Sequence, residues 1–159
     1  MTVPIPMPVA ANADPMSYPL IAQLFDRHGF VEVTSANFAA FSERQGRTLL
    51  LFLEDPMRYR ETLDLVVIVP ELVRTFPRKF AVGVLLPEVA RQYGTRYGFR
   101  RWPAFVMLAD GKYVGAVDGL RNWHEYMSAL NDLLAADPTR PPGVGIAVTG
   151  GDIAGSCHA

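Results

Sequence analysis

Residues 96–119 read RYGFRRWPAFVMLADGKYVGAVDG. Two apolar runs of strand length, 104–109 and 113–117, flank Asp110-Gly111. An Asp-Gly pair between such runs is the strongest short-range hairpin signal, because the favoured two-residue turn needs positive φ at both central positions. Pro103 stands where the first of these strands should begin. Proline has no N–H to give to a ladder, so it marks the entry to a strand rather than its middle. The stretch therefore predicts an antiparallel hairpin entered through a proline.

Working outward, FAVGVLL (80–86) reads as a buried strand, and PEVARQYGTRYG (87–98) as a helix with Pro87 at its first position. In LVVIVPELVRTF (65–76), Leu65, Val69, Leu72, Val73 and Phe76 recur at helical spacing. A helix is expected over 66–76, running through or bending at Pro70. RTLLLFL (47–53) is continuously apolar and short, as in a strand buried on both faces. EDPMRYRETLD (54–64), between that strand and the helix, breaks the pattern and reads as a loop. Nearer the start, SYPLIAQLFDRHG (17–29) carries a helical stripe ending at Gly29, and FVEV (30–33) alternates like a short strand. TSANFAAFSERQG (34–46) reads as a helix capped by Thr34 or Ser35. Beyond the hairpin, NWHEYMSALNDLLAA (122–136) is an amphipathic helix bearing Trp123, Tyr126, Met127, Leu130, Leu133 and Leu134. The expected organisation is an irregular Pro-rich arm over 1–16, one domain over 17–137, and a Pro/Gly-rich tail over 138–159.

With 159 residues, half of them hydrophobic, the chain can bury one proper core. A formal net charge of -1 gives no bulk attraction to nucleic acid or to an anionic membrane. The single cysteine, Cys157, excludes an internal disulfide and a Cys-rich zinc site. The start lacks a basic n-region and is broken by prolines at 4, 6, 8 and 15, and no apolar run reaches the roughly 20 residues of a membrane span. A cytoplasmic protein without metal or other cofactor is expected.

The order strand–helix–strand–helix–strand–helix–hairpin–helix predicts a mixed sheet of four or five strands with helices on both faces, a three-layer α/β sandwich. This order resembles the thioredoxin fold over about residues 30–136, and 96–119 resembles its most specific segment: Tyr97-Gly98, Phe99, Trp102, Pro103, Asp110-Gly111 and Gly119 match it one by one. The resemblance implies a cis Trp102-Pro103 bond. It also places the redox pair of thioredoxins, counted back from Pro70, near residues 61–65, where this chain has ETLDL. Without an attacking thiolate and its resolving partner, dithiol exchange cannot occur there.

The departures fit one family. LLFLEDPMRYRETLD, VIVPELVRTFP, YGFRRWPAFVML and GKYVGAVDGLRNWHEY resemble the HupG/HyaE group of hydrogenase expression/formation proteins. That resemblance implies a thioredoxin-like, non-catalytic chaperone for maturation of an uptake nickel–iron hydrogenase. Its implied client is the small-subunit precursor, bound through a twin-arginine signal peptide before export; other maturation proteins are further possible partners. The other function class left open is a thiol enzyme using the lone Cys157.

For peptide binding, the expected platform is Trp102 and Pro103, with Met57 and Tyr59 as apolar neighbours, because backbone groups beside the proline can pair with an added strand. Glu54, Asp55, Glu61 and Asp64 bring four carboxylates into the 54–64 region, and a client's arginine pair would suit them. Arg58, Arg60, Arg100 and Arg101, close by in sequence, are the cations expected to compete for those acids. The plainer readings are that Trp102 packs on the domain, that Pro103 serves the fold, and that the acids form an ordinary solvated loop. His28 and His124 read as structural residues on helices, and Cys157-His158 as part of a loose terminus.

Overall fold

A computed structural model describes residues 14–143. A 3-10 turn at Pro15–Ser17 leads into α1 (Pro19–Asp26), β1 (Val31–Glu32), α2 (Phe38–Ser42), β2 (Arg47–Phe52), α3 (Glu61–Thr75), β3 (Ala81–Leu85), α4 (Pro87–Gly94), β4 (Ala104–Ala109), β5 (Lys112–Asp118) and α5 (Trp123–Ala135). The sheet has five strands in the order β1-β3-β2-β4-β5. β3 runs parallel to both β1 and β2, whereas β4 is antiparallel to β2 and to β5. This is a thioredoxin-like mixed α/β sheet with helices on both faces, as the order of elements predicts.

Alternation along the two central strands explains why their sequences are apolar throughout. Leu49 and Leu51 of β2 with Phe105 and Met107 of β4 face α1, α3 and α5, where they meet Ile21, Leu24, Leu65, Val69, Tyr126 and Leu130. Leu50 and Phe52 with Val106 and Leu108 face the other way, onto Phe38 and Phe41 of α2 and Ala90 of α4. Both faces of β2 and β4 are thus withdrawn from water, which requires unbroken hydrophobicity rather than period-two alternation. Gly83 of β3 is required by packing: an added Cβ would lie 2.4 Å from the Phe41 ring and 2.6 Å from Val33.

The hairpin follows its sequence closely. Asp110 (φ 49) and Gly111 (φ 83) both take positive φ, as the two-residue turn demands. The Asp110 side chain accepts from the Gly46 N–H at 2.7 Å while the Asp110 N–H donates back to the Gly46 carbonyl at 2.9 Å, tying the turn to the entry of β2. The Trp102-Pro103 bond is cis.

Several local expectations are corrected. α3 starts at Glu61, five residues before the expected start at 66, so Glu61 and Asp64 belong to its first turn and not to a loop. Two carboxylates at the positive end of the helix dipole favour that early start. The helix continues through a buried Pro70. α2 is shorter than expected and begins after Asn37, not at Thr34 or Ser35; the Asn37 side-chain Oδ1 instead accepts from the Thr34 N–H at 2.7 Å. His28 lies beyond the end of α1, whose C-cap is Arg27. α5 matches its expectation, with an Asn122–Glu125 capping box, but Trp123 is 41% exposed and not part of the core. After α5 the chain turns back over the sheet edge: the Thr139 N–H donates to the Tyr113 carbonyl at 2.8 Å, and Pro142 lies against Gly98. The expectations for most of the N-terminal arm and for the tail from 144 onward, Cys157 included, fall outside the described residues. No helix among the described residues is long and apolar enough to cross a membrane.

Candidate functional site

The β4–β5 register builds the site. It pairs Ala104 with Asp118, so the carboxylate of Asp118 falls beside the chain that leads into Pro103. Its Oδ2 accepts from the Arg100 N–H at 2.8 Å and the Arg101 N–H at 3.2 Å. The Gly119 N–H donates to the Pro103 carbonyl at 2.9 Å. These three bonds hold the 100–103 segment from one side, yet neither the N–H nor the C=O of Trp102 enters a backbone hydrogen bond among the described residues. An unpaired donor and acceptor on one residue beside an ordered segment are what a peptide adding as a strand requires.

A second anchor fixes the chain that leaves β5. The buried Tyr126 of α5 donates its hydroxyl to the Gly119 carbonyl at 3.2 Å and accepts from the Arg121 N–H at 3.0 Å. Burial pushes the Tyr126 pKa up, so the phenol stays neutral. Leu120, between those two bonds, projects with 43% of its surface exposed. Arg101 lays its aliphatic stem over Gly119, where an added Cβ would meet it at 3.2 Å.

Beside these segments lies an open groove of about 480 Å³. Tyr59, Glu61, Arg100, Arg101, Trp102, Gly119 and Leu120 line it. The Trp102 indole is half-buried: it meets the Phe99 ring edge-on at 5.1 Å between centroids and approaches Gly94 of α4. It therefore packs on the domain and lines the groove at once.

Of the residues singled out in the sequence, the structure brings Trp102, Tyr59 and Glu61 to this groove. Pro103 is buried beneath it and shapes the chain. Met57 is 49% exposed but does not line it, and Asp64 lies on α3 outside it. Asp55 is engaged locally, accepting from the Met57 N–H at 2.9 Å.

Glu54 is the main correction. Expected in a solvated loop, it is 5% exposed, and its partner is none of the four arginines expected to compete for it. Arg91 of α4 grips it with two bonds, Nε to Oε2 at 2.8 Å and Nη2 to Oε1 at 2.5 Å, and the Asp55 N–H adds a third at 2.7 Å. Burial pushes the Glu54 pKa up, but the Arg91 fork, the Asp55 N–H and the charges of Arg91 and Arg58 outweigh it, leaving the carboxyl below its ordinary value of 4.5. The hydrogen bond to Glu54 likewise raises Arg91. A carboxylate so engaged is closed to a client's guanidinium. It clamps the loop after β2 to α4 instead.

The residues near α3's start, Glu61-Thr62-Leu63-Asp64-Leu65, carry no thiol. Among the described residues no cluster of three or more His, Cys, Asp or Glu side chains is placed to hold a metal ion.

A family model described as "Hydrogenase-1 expression protein HyaE" matches residues 20–126. The chain belongs to the HyaE family. The matched span contains every residue lining the groove as well as Asp118 and Tyr126. Relatives of this HyaE-family chain include the hydrogenase expression/formation protein HoxO of Cupriavidus necator, 34% identical over 142 residues that cover 88% of each chain. HoxO of Azotobacter vinelandii is 34% identical over 122 residues, 77% of this chain and 82% of that protein. HupG of Rhodobacter capsulatus is 28% identical over 131 residues, 82% and 95% respectively. A role in hydrogenase maturation follows from this membership.

Sequence reading missed Asp118, Leu120, Arg91 and Tyr126 as parts of the site. Asp118 had a usable signal, since an acid closing a hairpin strand next to the strand-opening proline falls in register with it. Arg91 had none: 37 residues separate it from Glu54.

Proposed function

We propose that this protein is a non-catalytic chaperone of nickel–iron hydrogenase maturation, acting in the cytoplasm on the small-subunit precursor before export. The client segment is the twin-arginine signal peptide region, taken up in extended form across Trp102. One observation carries the reading: Trp102 lines an open groove, and neither its N–H nor its C=O enters a backbone hydrogen bond among the described residues. The aromatic and aliphatic surfaces of Tyr59, Trp102 and Leu120 supply apolar contact beside that backbone, and Pro103 holds the segment's course. Membership of a family of hydrogenase expression proteins supports the identity of the client. With Glu54 closed off by Arg91, contact rests on backbone pairing and apolar packing more than on an acidic patch.

The test is co-purification from cells expressing a hydrogenase operon. The tagged protein should retain the small-subunit precursor, and should lose it when the precursor is expressed without its signal peptide. Retention of the signal-less subunit at the same level would contradict the reading.

A further inference from the structure

The charges around the groove have no role in the reading above. Arg58 and Arg60 flank Tyr59 in sequence, Arg100 and Arg101 line the groove, and all four are exposed. None enters an ion pair among the described residues. The neighbouring acids are largely engaged elsewhere. Glu54 is held by Arg91, and Asp118 is paired with Arg121 at 3.5 Å besides accepting the Arg100 and Arg101 N–H groups. Asp55 caps the Met57 N–H. Asp55 keeps its charge, so Asp55, Glu61 on the rim and Asp64 further along α3 remain, three carboxylates against four guanidiniums. The groove lining itself carries Arg100 and Arg101 against Glu61 alone, a local surplus of one positive charge although the whole chain carries a formal net charge of -1. Its apolar lining includes Tyr59, 36% exposed, and Leu120, 43% exposed, and the Trp102 backbone enters no backbone hydrogen bond among the described residues.

We propose that the groove selects an extended segment carrying a carboxylate next to a bulky apolar residue. The segment's backbone pairs with Trp102, the apolar side chain lies between Tyr59 and Leu120, and the carboxylate meets Arg100 or Arg101. This rests on the peptide-capture reading and says which part of the client is read: an arginine pair in the same client lies outside the groove. A guanidinium fork matches a carboxylate with two parallel bonds. A client guanidinium in that position would instead face like charge, which disfavours the wrong partner.

Fluorescence anisotropy with three labelled synthetic peptides tests this. They share one apolar residue and differ only in its neighbours, which are aspartate, asparagine or arginine. The aspartate peptide should bind roughly fivefold to tenfold more tightly than the asparagine peptide at low salt, since exposed pairs contribute up to about 1 kcal/mol each. The arginine peptide should bind least tightly. The spread should narrow as salt shortens the screening length below about 8 Å. Arg100→Glu combined with Arg101→Glu should reverse the order; both side chains are exposed, and the backbone bonds to Asp118 do not depend on them. Arginine-peptide binding equal to or tighter than aspartate-peptide binding overturns the proposal, as does an order unchanged by the double reversal or no binding of any peptide. Precursor capture indifferent to Trp102→Ala overturns the capture reading and this proposal together. Trp102-dependent capture with an arginine preference overturns this proposal alone.

Discussion

Replacing Arg91 by methionine keeps much of the side chain's apolar length and removes the cation that grips Glu54. The carboxylate is 5% exposed and then retains only the Asp55 N–H of its three close partners. Stranding one partner of a buried ion pair costs about 3–5 kcal/mol. Here the Arg91 side chain is 47% exposed, so solvent already screens the pair, and a cost of about 2–3 kcal/mol at neutral pH is expected. The sign with pH is specific. In the wild-type protein the folded-state pKa of Glu54 lies below 4.5, so the pair's stabilisation is present above about pH 4.5 and is lost as pH falls through the folded value. In Arg91→Met, burial is opposed only by the Asp55 N–H and the Arg58 charge, so the folded pKa moves up from its wild-type position and the variant loses less stability than the wild type on acidification. The gap between the two proteins should therefore be largest near neutrality and close as pH falls through the folded Glu54 value, below its ordinary 4.5. Glu54→Gln should flatten this dependence, since the amide oxygen can still accept from Asp55 and Arg91 without titrating. Urea unfolding of all three proteins across that pH range measures it, through the midpoint at constant slope. Equal midpoints for wild type and Arg91→Met at neutral pH, or a gap unchanged by acid, would refute the reasoning.

Two other expectations follow from the site. Asp118→Ala removes the acceptor shared by the Arg100 and Arg101 N–H groups, so it should lower stability by about 1 kcal/mol and weaken precursor capture while leaving the far-UV spectrum unchanged. A loss of stability with capture intact would show that this anchoring is irrelevant to binding. With no dithiol pair near α3's start, the protein should not catalyse insulin disulfide reduction by dithiothreitol above the buffer rate, and Cys157→Ser should leave precursor capture unchanged. Catalysis that disappears in Cys157→Ser would revive the thiol-enzyme reading.

The strands and the hairpin were legible because their signals are local. Asp110-Gly111 specifies its own turn, and Pro103 marks a strand entry whatever surrounds it. The continuous run in β2 reported burial on both faces without reference to any partner. The start of α3 was misread because Glu61 to Asp64 carry no apolar stripe: only the buried Thr62 and the half-buried Leu63 of that turn face the domain. At the site, Trp102 and Tyr59 were found because large aromatics beside a strand-opening proline are conspicuous. The charges were misassigned for the opposite reason. Sequence proximity suggested that Arg58, Arg60, Arg100 and Arg101 would meet the acids of 54–64, whereas the fold brings Arg91 from α4 onto Glu54 and leaves the nearer arginines without ion pairs among the described residues. Pairings between residues on different elements depend on how the helices dock, which no local pattern encodes.

The central claim is that the client lies across Trp102, and calorimetric titration of the purified small-subunit precursor into wild-type protein and Trp102→Ala tests it most directly. Thermal unfolding first establishes that the variant is folded, since its indole also packs on Phe99. The account predicts that the variant binds about thirtyfold more weakly, the equivalent of about 2 kcal/mol for a lost aromatic anchor. Equal affinity for the two folded proteins would contradict it.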